Sequence, residues 1–195
     1  DLSDAQTGTG TNCMGIGNGA QDSITSGNAS IAIGAYAQAN QTNVGTANNT
    51  LGYLSMANAT GNYNNAFGYF AMKGTTTGNS NSAFGHSALS GSGAKTGNSA
   101  FGSNALLDVT TGEYNIGIGY EAGDDITTGS NNTIIGRLAG STSLSSTVLI
   151  GAGDTERLKI NSTGLYVNGS ATPLTNYSLP LATNFTRGGI ELFSN

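Results

Sequence analysis

The chain has 195 residues, of which 31 are Gly, two are Pro, none is Trp and only 9% are charged, unlike an ordinary globular domain. The Gly excess lacks both a three-residue period and Pro, which excludes collagen, and an apolar share of 36% at a net charge of −5 argues against disorder. Six basic residues against eleven acidic ones exclude a phosphate-neutralising surface, so nucleic acid is not an expected partner, and no apolar run approaches the ~18 residues that cross a membrane.

Residues 1–13 read as an N-terminal extension. Its start, Asp1-Leu2-Ser3-Asp4, is not a charged-then-apolar signal. Cys13 is the single cysteine, which rules out an intrachain disulfide and a zinc pair and leaves the role of a small buried hydrophobe.

Residues 14–153 are repetitive. A small or apolar residue, then Ile, Leu or Phe, then Gly recurs at Gly17, Gly34, Gly52, Gly68, Gly85, Gly102, Gly119, Gly136 and Gly151, with steps of 17, 18, 16, 17, 17, 17, 17 and 15 residues. That period fits one coil of a β-solenoid and is too short for a helical hairpin or a propeller blade. The expected fold is therefore all-β, a parallel β-solenoid (β-roll) of about nine 17-residue coils, each a strand, a bend, a second strand and a turn. The large residues before the glycines, Ile16, Ile33, Leu51, Phe67, Phe84, Phe101, Ile118, Ile135 and Ile150, are expected to form the interior. Three residues after each glycine stands a small side chain, Ala20, Ala37, Ser55, Ala71, Ala88, Ala105, Ala122 and Ala139, as expected where two strands approach closely. Turns around Gly61, Gly78, Gly97, Gly112 and Gly129 are expected to use the positive φ that Gly tolerates.

Nine coils stacked about 4.8 Å apart would make a rod of roughly 40 Å, with Ile, Phe and Asn columns on like neighbours. One large interior side chain per coil contributes about 1.5–3 kcal/mol, while ordering the backbone costs about 1–2 kcal/mol per residue, so a single rod is under-stabilised. Met56, Met72, Leu89, Leu106 and Leu107 fall off the interior column; on this reading they are exposed on one rod and buried between three. A homotrimer is expected.

Residues 154–170 read as a β-hairpin-like module, because Glu156-Arg157-Leu158-Lys159-Ile160-Asn161-Ser162-Thr163-Gly164-Leu165-Tyr166-Val167 alternates apolar and polar around a turn. Residues 171–195 read as a linker and the start of a further fibre module. The stretch from Ala182 to Ser194 stops inside an expected strand, so the chain reads as a piece of a longer protein.

Segments such as Asn65-Ala66-Phe67-Gly68-Tyr69-Phe70-Ala71 and Ser82-Ala83-Phe84-Gly85-His86-Ser87-Ala88, separated by Thr-Thr-Gly-Asn turns, resemble the repeats of bacteriophage tail-fibre proteins and the heads of YadA-like trimeric autotransporter adhesins. Both resemblances imply a trimeric left-handed parallel β-roll. The adhesin repeat is nearer fourteen residues and comes with a heptad stalk and a β-barrel anchor that this chain lacks, so the longer coil favours the phage resemblance.

Chemistry is sparse. Polysaccharide hydrolysis needs two carboxylates roughly 5–9.5 Å apart, yet no Asp or Glu occurs from Ser23 to Leu107. Asp108, Glu113, Glu121, Asp124 and Asp125 occupy turn-like places, where Asp satisfies local backbone groups, and no Ca²⁺-loop pattern accompanies them. His86 is the single histidine and shares a variable column with Asn18, Ala35, Tyr53, Tyr69, Ser103, Tyr120 and Arg137; with no acid in its own coil it supports no Ser-His-Asp device. The Tyr residues of that column either cover a seam between subunits or stack on sugar rings, and Tyr69 and Tyr120 are the candidate receptor contacts. Asn-x-Ser/Thr triplets such as Asn28-Ala29-Ser30 follow from composition alone.

The expectation is a structural or adhesive protein, not an enzyme, with no cofactor, no metal and no catalytic residue. It is read as an extracellular segment of a virion tail fibre that spaces or presents receptor-binding surfaces, with other tail proteins and a host polysaccharide or protein receptor as further partners. The head of a bacterial surface adhesin is the alternative, and an ice- or crystal-binding solenoid a lesser one, because Thr75-Thr76-Thr77, Thr110-Thr111 and Thr127-Thr128 cluster in turns and form no regular column.

Overall fold

The computed structural model describes residues 13–21, 29–39, 45–74 and 77–173; the expectations for residues 1–12 and 174–195 lie outside the described residues. Eleven strands follow in chain order: β1 (Met14–Ile16), β2 (Ile31–Ile33), β3 (Asn49–Leu51), β4 (Asn65–Phe67), β5 (Ser82–Phe84), β6 (Ser99–Phe101), β7 (Ile116–Ile118), β8 (Thr133–Ile135), β9 (Val148–Ala152), β10 (Thr155–Asn161) and β11 (Gly164–Val167). They form one sheet in sequence order, parallel from β1 to β9 and antiparallel from β9 to β11. The fold is all-β, a parallel β-solenoid of about seven turns.

Like pairs with like across the coils, Phe67 beside Phe84 and Phe84 beside Phe101. The motif glycine continues the ladder, its N–H donating to the residue before the motif glycine of the preceding coil, as Gly85 does to Phe67 O at 2.8 Å and Gly102 to Phe84 O at 2.8 Å.

The interior is inverted relative to the sequence expectation. In a three-residue strand the first and third side chains share one face and the second takes the other, and here the second points inward. Ala32, Ala66, Ala83 and Ala100 have no exposed surface, whereas Leu51, Phe84, Phe101, Ile118 and Ile135 are 37–46% exposed, and Ile16, Ile33, Phe67 and Ile150 are half-buried. The physical reason is space: in the central coils the interior shared with Met56, Met72, Leu89 and Leu106 leaves room for a methyl group at this position, whereas in β8 and β9 the larger Ile134 and Leu149 enter there.

Bulk enters the core from the other side of the coil. Met56, Met72, Leu89 and Leu106 are fully buried within the single chain, and Leu107 is half-buried, so they form no outer seam between rods. Met56, Met72, Leu89 and Leu106 belong to a column that begins with the buried Gln21 and Gln38 and ends at Gly123 and Gly140. Where the column shrinks to Gly, Ile126 and Ile134 take up the volume, since an added Cβ at Gly123 or Gly140 would lie against their side chains. The small-residue column is buried at Ala20, Ala37, Ser55, Ala71, Ala88, Ala105 and Ala122, while Ala139 at its end is half-buried.

The second strand of each coil is absent among the described residues. A turn replaces it, in which residues two apart adopt left-handed φ, for example Phe70 and Met72 at 60° and 51°, or Ser87 and Leu89 at 52° and 53°. The amides of these two left-handed residues point to opposite neighbours: Phe70 N–H donates back to Tyr53 O at 3.1 Å and Met72 N–H forward to Ala88 O at 3.0 Å, while Ala71 N–H between them donates to Gly68 O of its own coil. These bonds answer the buried backbone's need for partners and offset the cost of left-handed conformations in non-glycine residues.

A ladder of buried asparagines closes the third side. Asn64, Asn81, Asn98, Asn115 and Asn132 each accept, through Oδ1, the backbone N–H of the corresponding residue one coil on, and through Nδ2 each donates to a carbonyl in that coil. Gly61, Gly78, Gly112 and Gly129 adjoin this ladder for a reason other than positive φ, which of the expected turn glycines only Gly97 shows. A side chain on them would collide with the backbone of the next coil.

Candidate functional site

The residue that follows each motif glycine points outward, because the glycine ends the strand and the chain must turn there. The column contains Tyr53, Tyr69, His86, Ser103, Tyr120 and Arg137, and its large members are exposed. Stacked coils bring their rings together. Tyr53 and Tyr69 stack at 5.3 Å between centroids, Tyr69 and His86 at 5.3 Å with an interplanar angle of 4°, and Tyr36 meets Tyr53 edge-on at 6.2 Å. Phe70 packs 4.0 Å from Tyr69, and the Lys73 ammonium sits 3.8 Å over the Phe70 ring.

Tyr69, one of the two candidate contacts, thus has Tyr53 and His86 against its faces and offers its edge and hydroxyl. Tyr120, the other, lies in a separate, charged part of the column. The Arg137 guanidinium stands 5.4 Å over its ring and bridges Glu121 (Nε to Oε2, 3.2 Å) and Asp154 (Nη1 to Oδ1, 3.3 Å). A hydrogen bond to Glu121, and then its charge, raise the Tyr120 hydroxyl above the usual tyrosine range. Burial, reinforced by Asp125 and Glu121, raises the Asp124 carboxyl. Glu121, Asp124, Arg137, Leu138, Ala139 and Asp154 line a shallow cleft of about 280 Å³.

The geometry does not bring Tyr69 and Tyr120 into one site, since they lie three coils apart. Arg137 occupies both Glu121 and Asp154, which makes the cluster a cross-coil ion-pair network. Among the described residues, no group of three or more His, Cys, Asp or Glu could hold a metal ion, and no helix is long and apolar enough to cross a membrane. What the column offers is tyrosine hydroxyls, ring edges, the His86 imidazole and one guanidinium at coil spacing.

Comparison with protein-family models, curated proteins and solved structures found no match.

Sequence reasoning missed Lys95, which is fully buried. It stands where neighbouring coils have Gly78 and Gly112. Its coil also lacks the core residue that Val109 and Ile126 supply in the next two, because Ser92 in the corresponding place is exposed. The Lys95 stem fills that space, and its ammonium donates to Leu89 O at 3.0 Å, to Val109 O at 3.0 Å and to Gly91 O. Burial pushes its pKa from 10.5 down to about 7. The signal in the sequence is a lysine inside Gly91-Ser92-Gly93-Ala94-Lys95, at a repeat position that Gly61, Gly78, Gly112 and Gly129 occupy in other coils.

Proposed function

We propose that this chain is a structural, adhesive element, a nine-coil segment of an extracellular homotrimeric fibre of the kind found in phage tails, which holds receptor-binding surfaces at a distance and performs no catalysis. The observation that carries this reading is the repeat itself. Successive coils are tied by the same strand pairs, the same asparagine ladder and the same glycine approach, so the chain has reach and stiffness as its principal physical property. The homotrimer is supported by the outward apolar columns of the sheet, which leave large side chains uncovered in a single chain.

Receptor contact, on this reading, is made by the column after the motif glycines, with Tyr120 and the edge of Tyr69 as the contact residues. Identical chains repeat every such contact three times, so that avidity substitutes for a deep pocket. The test incubates the purified protein with host cells and their envelope polysaccharide. Retention on intact cells without release of reducing sugar ends is the expected result, and release of reducing ends would overturn the reading. Neither retention nor release would remove the adhesive role and leave a spacer.

A further inference from the structure

We infer that the ring ladder of Tyr53, Tyr69 and His86, with Lys73 at its side, binds an acidic polysaccharide lying along the solenoid axis. The inference rests on the adhesive reading proposed above and supplies the ligand class for its Tyr69 contact.

The fold does not require the ladder. In the same column Ala35 and Ser103 serve coils of the same build, so a small residue suffices to turn the chain after the motif glycine. Yet Tyr53 and Tyr69 are 41% and 46% exposed, and His86 is exposed beside them. Their rings lie within 18° of parallel and 5.3 Å apart at each step, which covers both faces of Tyr69 and turns ring edges outward. Phenylalanine would stack as well; tyrosine adds a hydroxyl at the exposed edge. Among the described residues no group hydrogen-bonds the hydroxyls of Tyr53 and Tyr69, whereas Glu121 engages that of Tyr120 and Thr163 that of Tyr166.

Charge selects the kind of ligand. From Ser23 to Leu107 the chain has no Asp or Glu, and its charged residues there are Lys73 and Lys95. Lys95 is buried, so Lys73 sets the sign of this surface. Its ammonium sits 3.8 Å over the Phe70 ring, and Phe70 packs 4.0 Å from Tyr69, which holds the charge beside the hydroxyls. A ring face attracts the cation without taking the place of a carboxylate. Acids gather instead around Tyr120, three coils from Tyr69. That distance, roughly 14 Å at strand spacing, exceeds the screening length of about 8 Å at physiological salt, so the acids do not cancel Lys73.

Spacing selects a polymer of sugars. The polar groups form a line, which a small ligand spans only in part. A pyranose in an extended glycan advances by about one coil, and its hydroxyls donate and accept as those of tyrosine do. Side chains on one face of an extended peptide recur only every ~6.6 Å and fall out of step with rings 5.3 Å apart.

The test measures binding of the purified protein to polygalacturonate, with dextran as the neutral glycan and poly-glutamate as the acidic peptide, at low and high salt. The expected result is binding to polygalacturonate that weakens as salt rises, and little to the other two. Lys73→Met, which keeps the stem over Phe70, is expected to weaken binding about tenfold, and Tyr69→Phe, which keeps the stack, about threefold; Tyr114→Phe, exposed elsewhere, is expected to bind as the parent does. Equal binding to dextran would overturn the role of charge, and equal binding to poly-glutamate the sugar. A Lys73→Met variant that binds like the parent would overturn the site. Retention on intact host cells without binding to polygalacturonate would overturn this inference and leave the adhesive reading standing, whereas absence of both would overturn the two together.

Discussion

Lys95→Met tests the one charged side chain that is buried in the core among the described residues. Methionine has similar length and keeps the void filled, so the perturbation is confined to the amino group, with three N–H donors when protonated and two when neutral, and its carbonyl acceptors Leu89 O, Gly91 O and Val109 O. A buried carbonyl left without its donor costs about 1–3 kcal/mol, which sets a loss of several kcal/mol. Against it stands the burial of the amine, whose folded pKa is lowered from 10.5 to about 7. The sign follows from proton binding. Between those two values the unfolded chain holds a proton that the folded chain lacks, so the contribution of Lys95 to stability rises with pH by about 1.4 kcal/mol per unit and is smallest below pH 7. Chemical denaturation of both proteins at pH 7 and pH 9 is the assay. The variant is expected to be less stable at both, with the gap wider at pH 9. A variant as stable as the parent, or a gap that does not change with pH, would refute the reasoning.

Ala83→Asp places an unpaired charge in the thin interior and is expected to unfold the central coils at a cost of several kcal/mol, whereas Phe84→Asp, one residue on but outward, is expected to leave a folded chain that no longer assembles; circular dichroism and melting separate the two. Asn98→Ala removes the acceptor of the Asn115 N–H and the donor to Gly112 O, and should lower stability by about 2–4 kcal/mol in urea denaturation.

The repeat was legible because its glycines are dictated by backbone approach, which tolerates no substitute, and the small Ala column was legible for the same reason. The inside of the coil was not. In a three-residue strand a shift of one position exchanges the two faces, and Ser-Ala-Phe invites the larger residue inward although the coil has room only for the methyl of Ala83. The left-handed turns at Leu89 and Leu106 were hidden because neither residue favours positive φ; bonds between coils hold them there, and such bonds leave no local signature. Tyr69 and Tyr120 were picked from one column, but the column says nothing about what covers a ring. The stacking of coils places Tyr53 and His86 against the faces of Tyr69 and Arg137 over Tyr120. Lys95 carried a visible irregularity whose meaning depends on the core residue its own coil lacks.

Light scattering of the purified chain at micromolar concentration tests the account most directly, because the uncovered sheet face, the proposed fibre and its multivalent contacts all depend on assembly. The predicted mass is three times the 19.5 kDa of one chain. A stable, folded species of one chain mass would contradict it.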